Sequence, residues 1–182
     1  IEHMTLGCAG MTLNKNAAVV YQEAGSLVLD HCTIQPRRPD GSNAPIQPTA
    51  GVWVGPDARI RMTRCSVVEC DPALRVQHGN AFAEDSTLAY SKHGSNVVGF
   101  DGVLELLRCH IHSARGNGVE LHNTYASLVC NKIVDNGNVG ITCHEGTRTE
   151  ITRNFIGRNR SGPLYMTRTL SVRLQNNMFI SD

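Results

Sequence analysis

Two histidines one repeat apart, His122 and His144, are the residues best placed for chemistry in this chain. Each ends a short run in which apolar residues stand every second place: Val119-Glu120-Leu121-His122 and Ile141-Thr142-Cys143-His144. With Glu120 and Glu145 close by, two imidazoles and a carboxylate can bind a metal ion or work as an acid–base pair. The plainer alternative is a stacked pair of turn imidazoles, since no third ligand keeps a fixed spacing. Cys130, His110 and His112 are also of ligand type but fall elsewhere in the pattern. The cysteines form no C-x-x-C zinc motif, so no metal or cofactor is assigned.

A second group is suited to binding rather than catalysis. Trp53, the single tryptophan, and Arg75 occupy equivalent places in neighbouring repeats, both expected to face solvent. Exposed Trp beside Arg is the composition of an interaction hot spot, unless a neighbouring loop covers the indole. Such a loop runs from Gln35 to Ala50, holds four of the seven prolines and carries Arg37 and Arg38. That pair can meet an acidic or phosphorylated partner, or simply decorate a tolerated surface loop.

Both groups depend on a repeat. Its anchors are Cys32, Cys65, Ser86, Cys109, Asn131, Asn154 and Asn177. They return about once every 21 to 23 residues, apart from one longer step. The long step, from Cys32 to Cys65, contains the Gln35–Ala50 segment. Three residues before each anchor stand Leu29, Met62, Ala83, Leu106, Leu128, Ile151 and Leu174; two after stand Ile34, Val67, Leu88, Ile111, Ile133, Ile156 and Phe179. Further on come Val52, Leu74, Val97, Val119, Ile141 and Leu164. Spacing of two marks strands, and no stretch sustains a helical period. A coil this short cannot bury its own apolar face, but stacked coils can, at a rise of about 4.8 Å. The expected fold is all-β: a right-handed parallel β-helix of about eight coils, the hand following from the preference of strand crossovers. It forms a single domain over 1–182 with an inserted loop at 35–50. No capping element is visible at either end, so a fragment of a longer protein is expected.

Composition narrows the function. A net charge of +1 argues against bulk electrostatic binding of nucleic acid or membrane. No run of apolar residues is long enough for a membrane-spanning helix. The anchor cysteines share a column with asparagines, which reads as a ladder of reduced, structural thiols and points to the cytoplasm. Cys32 and Cys65, on adjacent coils, remain a pair that can bridge.

As a fold, the chain is similar to the parallel β-helices of polysaccharide lyases, hydrolases and epimerases. Their chemistry needs clustered carboxylates, and here these occur singly: Glu105 and Glu150 are separated by a coil carrying Ser127. There is no Asp-Asp pair, no Gly-His-Gly and no Asp-Pro-His-Glu. An enzyme is therefore not favoured.

The phrases Asn131-Lys132-Ile133-Val134-Asp135-Asn136 and Asn154-Phe155-Ile156-Gly157-Arg158-Asn159, giving way to Cys109-His110-Ile111 in an earlier coil, resemble eukaryotic β-helix repeat modules. Such modules are found in Shc-binding spindle-associated proteins and in certain F-box proteins. The resemblance implies a protein-binding scaffold in the cytoskeleton or cell division, with no binding residue carried over because the shared residues are structural. The expected function is a noncatalytic scaffold for a protein partner, contacting it through Trp53, Arg75, Arg37 and Arg38. The alternative is carbohydrate binding or processing through His122, His144 and Glu120.

Overall fold

The computed structural model describes residues 5–6, 18–36 and 49–181. Arg37, Arg38 and most of the proline-rich loop lie outside the described residues. The described residues wind into a coil with three faces, every strand pairing in parallel with its equivalent one turn away.

The first face begins in the N-terminal half of Ala50–Thr63 and continues through Leu74–Gln77, Val97–Phe100, Val119–His122, Ile141–Cys143 and Leu164–Met166. The second uses the other half of Ala50–Thr63, then Asn80–Glu84, Val103–Leu107, Tyr125–Val129, Arg148–Thr152 and Ser171–Gln175. The third runs from Thr5–Leu6 and Thr33–Ile34 through Ser66–Val68, Thr87–Ala89, His110–His112, Lys132–Val134 and Phe155–Gly157 to Met178–Ile180. Ala18–Asp30 pairs with Ala50–Thr63 along both halves, joining the first two faces into one sheet at that end. About six regular turns follow one another, fewer than the eight expected. In the earliest described coils the corners before the anchors Cys32 and Cys65 are formed, but Ala18–Asp30 and Ala50–Thr63 each run unbroken from the first face into the second, with no corner between those faces.

The register is the one that alternation demands, because a slip of one residue would turn every apolar side chain outward. Leu29, Met62, Ala83, Leu106, Leu128 and Ile151 stack as cross-coil partners inside the second face. Ile34, Val67, Leu88, Ile111, Ile133 and Ile156 do so inside the third. All of these are buried, and a fully buried aliphatic chain contributes about 1.5–3 kcal/mol of transfer free energy. In the last described coil the equivalent Leu174 and Phe179 are exposed.

Corners need backbone that L-residues rarely adopt. His31, Arg64, Asp85, Arg108, Cys130, Arg153 and Asn176, each one place before an anchor, have φ between 49° and 57°. A second column of the same kind holds Glu69, Tyr90, Ser113, Asp135 and Arg158, and a third His78, Asp101 and Asn123. Each left-handed residue costs about 1–2 kcal/mol, so the corners persist only because neighbouring coils hold them.

The holding is done largely by side chains inside the corners. Asn131 Oδ1 accepts from the Cys109 N–H at 2.8 Å, Asn154 Oδ1 from Asn131 N–H at 2.7 Å, and Asn177 Oδ1 from Asn154 N–H at 2.9 Å. Their Nδ2 groups donate to the carbonyls of Leu106, Leu128 and Ile151. A second ladder, absent from the sequence reading, stands at the next corner along each coil. There Asn136 accepts from Ala114 N–H at 3.0 Å and Asn159 from Asn136 N–H at 3.1 Å. Thiols share the anchor column. Among the described residues no disulfide forms, Cys32 and Cys65 included. Burial pushes the Cys109 thiol up to about 11 and Cys143 up to about 12, which leaves both protonated and unreactive.

Candidate functional site

The first face carries the chemistry. Its outward column pairs Trp53 with Arg75, Val98, Glu120, Thr142 and Tyr165 in successive coils, as expected from the sequence. Two residues along, Gln77, Phe100 and His122 form a second outward column. Planar side chains from the two columns stack into one line, one per coil. Tyr21 meets Trp53 edge to face at 5.4 Å. The Arg75 guanidinium lies 4.7 Å from the Trp53 ring and 5.7 Å from Phe100. Phe100 stacks on His122 at 4.7 Å, and His122 on His144 at 4.2 Å with 13° between the planes.

Trp53 is half-buried by this packing, while Tyr21 keeps half its surface exposed. Burial lowers the pKa of Arg75, and its Nε is buried without a hydrogen-bond partner. Its Nη2 donates to Gln77 Oε1 at a long 3.4 Å.

At the other end of the line Glu120 lies against both imidazoles. Its Oε1 is 2.9 Å from His122 Nε2 and 3.9 Å from His144 Nε2. Its Oε2 accepts from Ser95 Oγ at 2.7 Å and Asn117 Nδ2 at 3.2 Å. Burial works to raise the Glu120 carboxyl, but the bonds from Ser95, His122 and Asn117 outweigh it and hold the group below its ordinary value. Burial, then the neighbouring His122, push His144 down, toward its neutral form. Thr142, the cross-coil partner of Glu120, keeps a buried hydroxyl oxygen with no partner.

The structure thus brings Glu120, His122 and His144 together. Glu145 does not join them: it lies at the corner just before Gly146, whose φ is 77°, and pairs with Arg168 at 3.9 Å in the open. His110 and His112 pack against each other at 4.2 Å, with tilted rings, on the third face. Cys130 is an exposed corner residue. Glu105 and Glu150 stay separated by Ser127, as expected. Sequence reasoning missed Tyr21, Phe100, Ser95 and Asn117. For Phe100 a signal was available, because it stands one repeat before His122 in the same register.

A separate open groove of about 930 Å³ follows a corner of the third face past Glu69, Tyr90, Lys92, Arg115 and Asp135. Its charges are largely paired within it: Lys92 lies 3.6 Å from Glu69, and Arg158 is 2.7 Å from Asp135.

Comparison with known proteins bears on the fold. Residues 97–181 match the family model described as a right-handed β-helix region. No curated protein matches the chain in sequence. Among solved structures it is similar to the A-module of mannuronan C-5 epimerase AlgE4 from Azotobacter vinelandii, with a TM-score of 0.58 and 16% identity. That alignment covers 88% of this chain and 53% of the epimerase module, so the chain spans about half the module's length. The fold is therefore a right-handed parallel β-helix.

Proposed function

We propose that this chain is a noncatalytic scaffold that binds a protein partner across its first face. The observation that supports this is the line Tyr21–Trp53–Arg75–Phe100. It places one tyrosine, one tryptophan and one arginine side by side on a rigid sheet, the residue types that dominate interface energetics. The guanidinium of Arg75 makes only a long 3.4 Å bond, from Nη2 to Gln77 Oε1, so a carbonyl or carboxylate from a bound protein can compete for that donor. The resemblance of the Asn-x-Ile and Cys-x-Ile coils to β-helix modules of Shc-binding spindle-associated and F-box proteins supports a protein partner, and with it a cytoplasmic, cytoskeletal setting. Arg37 and Arg38 extend the proposed contact into the loop.

The test is affinity capture from native lysate, followed by titration of the purified captured protein. Trp53→Ala is expected to weaken binding by about 30-fold, a hot-spot loss of about 2 kcal/mol. The melting temperature should move little, because the indole lies outside the core. Equal binding by the variant, or collapse of its fold, would refute this surface.

A second reading is carbohydrate binding or processing at Glu120, His122 and His144. Its support is the 2.9 Å carboxylate–imidazole pair and the polysaccharide epimerase named for the similar module. The stacking weakens it, since the rings along this line cover one another's faces and leave mainly edges for a sugar. Polyuronates should neither raise the melting temperature nor be cleaved; stabilisation lost in His122→Ala would favour this reading over the first.

A further inference from the structure

We infer that Glu120, His122 and His144 form a binding site for one divalent transition-metal ion of the zinc class, with a coordination position left open to solvent. The three ligand atoms all lie within 4.8 Å of one another. Both Nε2 atoms converge on the same carboxylate oxygen, at 2.9 and 3.9 Å. Tetrahedral zinc with bonds of about 2.0–2.1 Å sets its ligands about 3.3 Å apart. Closing on an ion therefore needs small movements of side-chain ends and none of the backbone.

The site is built rather than incidental. Glu120 and His122 stand two residues apart on one strand, so both project from the same side, and His144 follows one coil on. Ser95 and Asn117 hold Glu120 through Oε2, which turns Oε1 toward the imidazoles. Outer hydrogen bonds of this kind orient metal-binding carboxylates and raise affinity. Phe100 stacks on the far side of His122 and limits its rotation.

The donor set selects the ion. Two imidazoles and one carboxylate suit zinc, cobalt, nickel or copper. Calcium takes six to eight oxygens and magnesium a near-ideal octahedron rich in water, which this site does not supply. Side chains that remain about one-third exposed, at 32%, 27% and 29% for His122, Glu120 and His144, leave the ion a face toward solvent.

The experiment uses the whole chain stripped with chelator and titrated with Zn²⁺ by calorimetry and with Co²⁺ by visible absorption. The expected result is one equivalent bound, a cobalt ligand field without thiolate charge-transfer bands, and no binding of Ca²⁺. Glu120→Gln and His144→Ala should each weaken Zn²⁺ by about tenfold or more, and His110→Ala/His112→Ala should not. Circular dichroism checks that each variant is folded. The inference is overturned by no Zn²⁺ uptake up to about 1 mM, by uptake that survives loss of both His122 and His144, or by uptake that follows His110 and His112. The wild-type cobalt spectrum decides even if a variant unfolds, because thiolate bands would place the ion on cysteine.

Discussion

The asparagine ladder inside the corners and the planar ladder on the first face are built by the same rule, one side chain per coil, yet they end in opposite states. Inside, Asn131 and Asn154 use both the oxygen and the nitrogen of their amides on neighbouring coils. Outside, Arg75 Nε and Thr142 Oγ1 are left without partners, and Glu120 gathers two imidazoles around one oxygen. Saturated bonding marks the positions that hold the coils together. Unsaturated bonding marks the positions with capacity left for something else.

Replacing Asn131 by alanine tests this contrast most severely. It strips partners from the buried Cys109 N–H and Leu106 carbonyl at once, and should cost about 3 kcal/mol in urea unfolding. A loss under about 0.5 kcal/mol would erase the difference between the two ladders. Asn131→Ser sharpens it. Ser86 already serves in this column, accepting from Cys65 N–H at 3.0 Å, so serine should recover the part carried by that bond and cost about 1–2 kcal/mol.

Acid titration gives the smallest effect and probes the outer ladder. His144 has its folded pKa below the ordinary 6.5, so the unfolded chain takes up its proton first, and stability is lost as pH falls from that value toward the folded one. Glu120, lowered from 4.5, contributes stability above that pH which disappears on further acidification. His144→Gln should flatten the upper part of this decline and leave the lower part unchanged. An identical curve for the variant would show that the imidazole stack carries no proton-linked stability.

The register of the outward columns was legible because alternation on a sheet leaves one consistent choice: Trp53 over Arg75 and Glu105 separated from Glu150 follow from counting. The stacking was not, because it crosses between columns. Arg75 reaches from Trp53 to Phe100, a step that depends on side-chain length and not on period. Ser95 and Asn117 were missed for a related reason: they sit on turns, where no periodic signal separates a ligand holder from an ordinary polar residue. Glu145 was expected near the histidines on sequence proximity, but the chain has already rounded the corner at that point. The turn count was overestimated because the apolar spacing begins ahead of the regular turns, in a region where Ala18–Asp30 and Ala50–Thr63 each run as one strand across two faces.

The left-handed corners also bear on the order in which the chain can take shape during synthesis. The N–H of Arg64 bonds to the carbonyl of Glu84, Asp85 to Leu107, Arg108 to Val129, Cys130 to Thr152 and Arg153 to Gln175. In every case the donor belongs to the earlier coil and the acceptor to the coil made after it. A ribosome delivering about 5–20 residues per second needs about 1–4 s to supply one more coil. Each corner therefore waits for its successor before it can lock, and the newest coil on the emerging chain is always the least settled one.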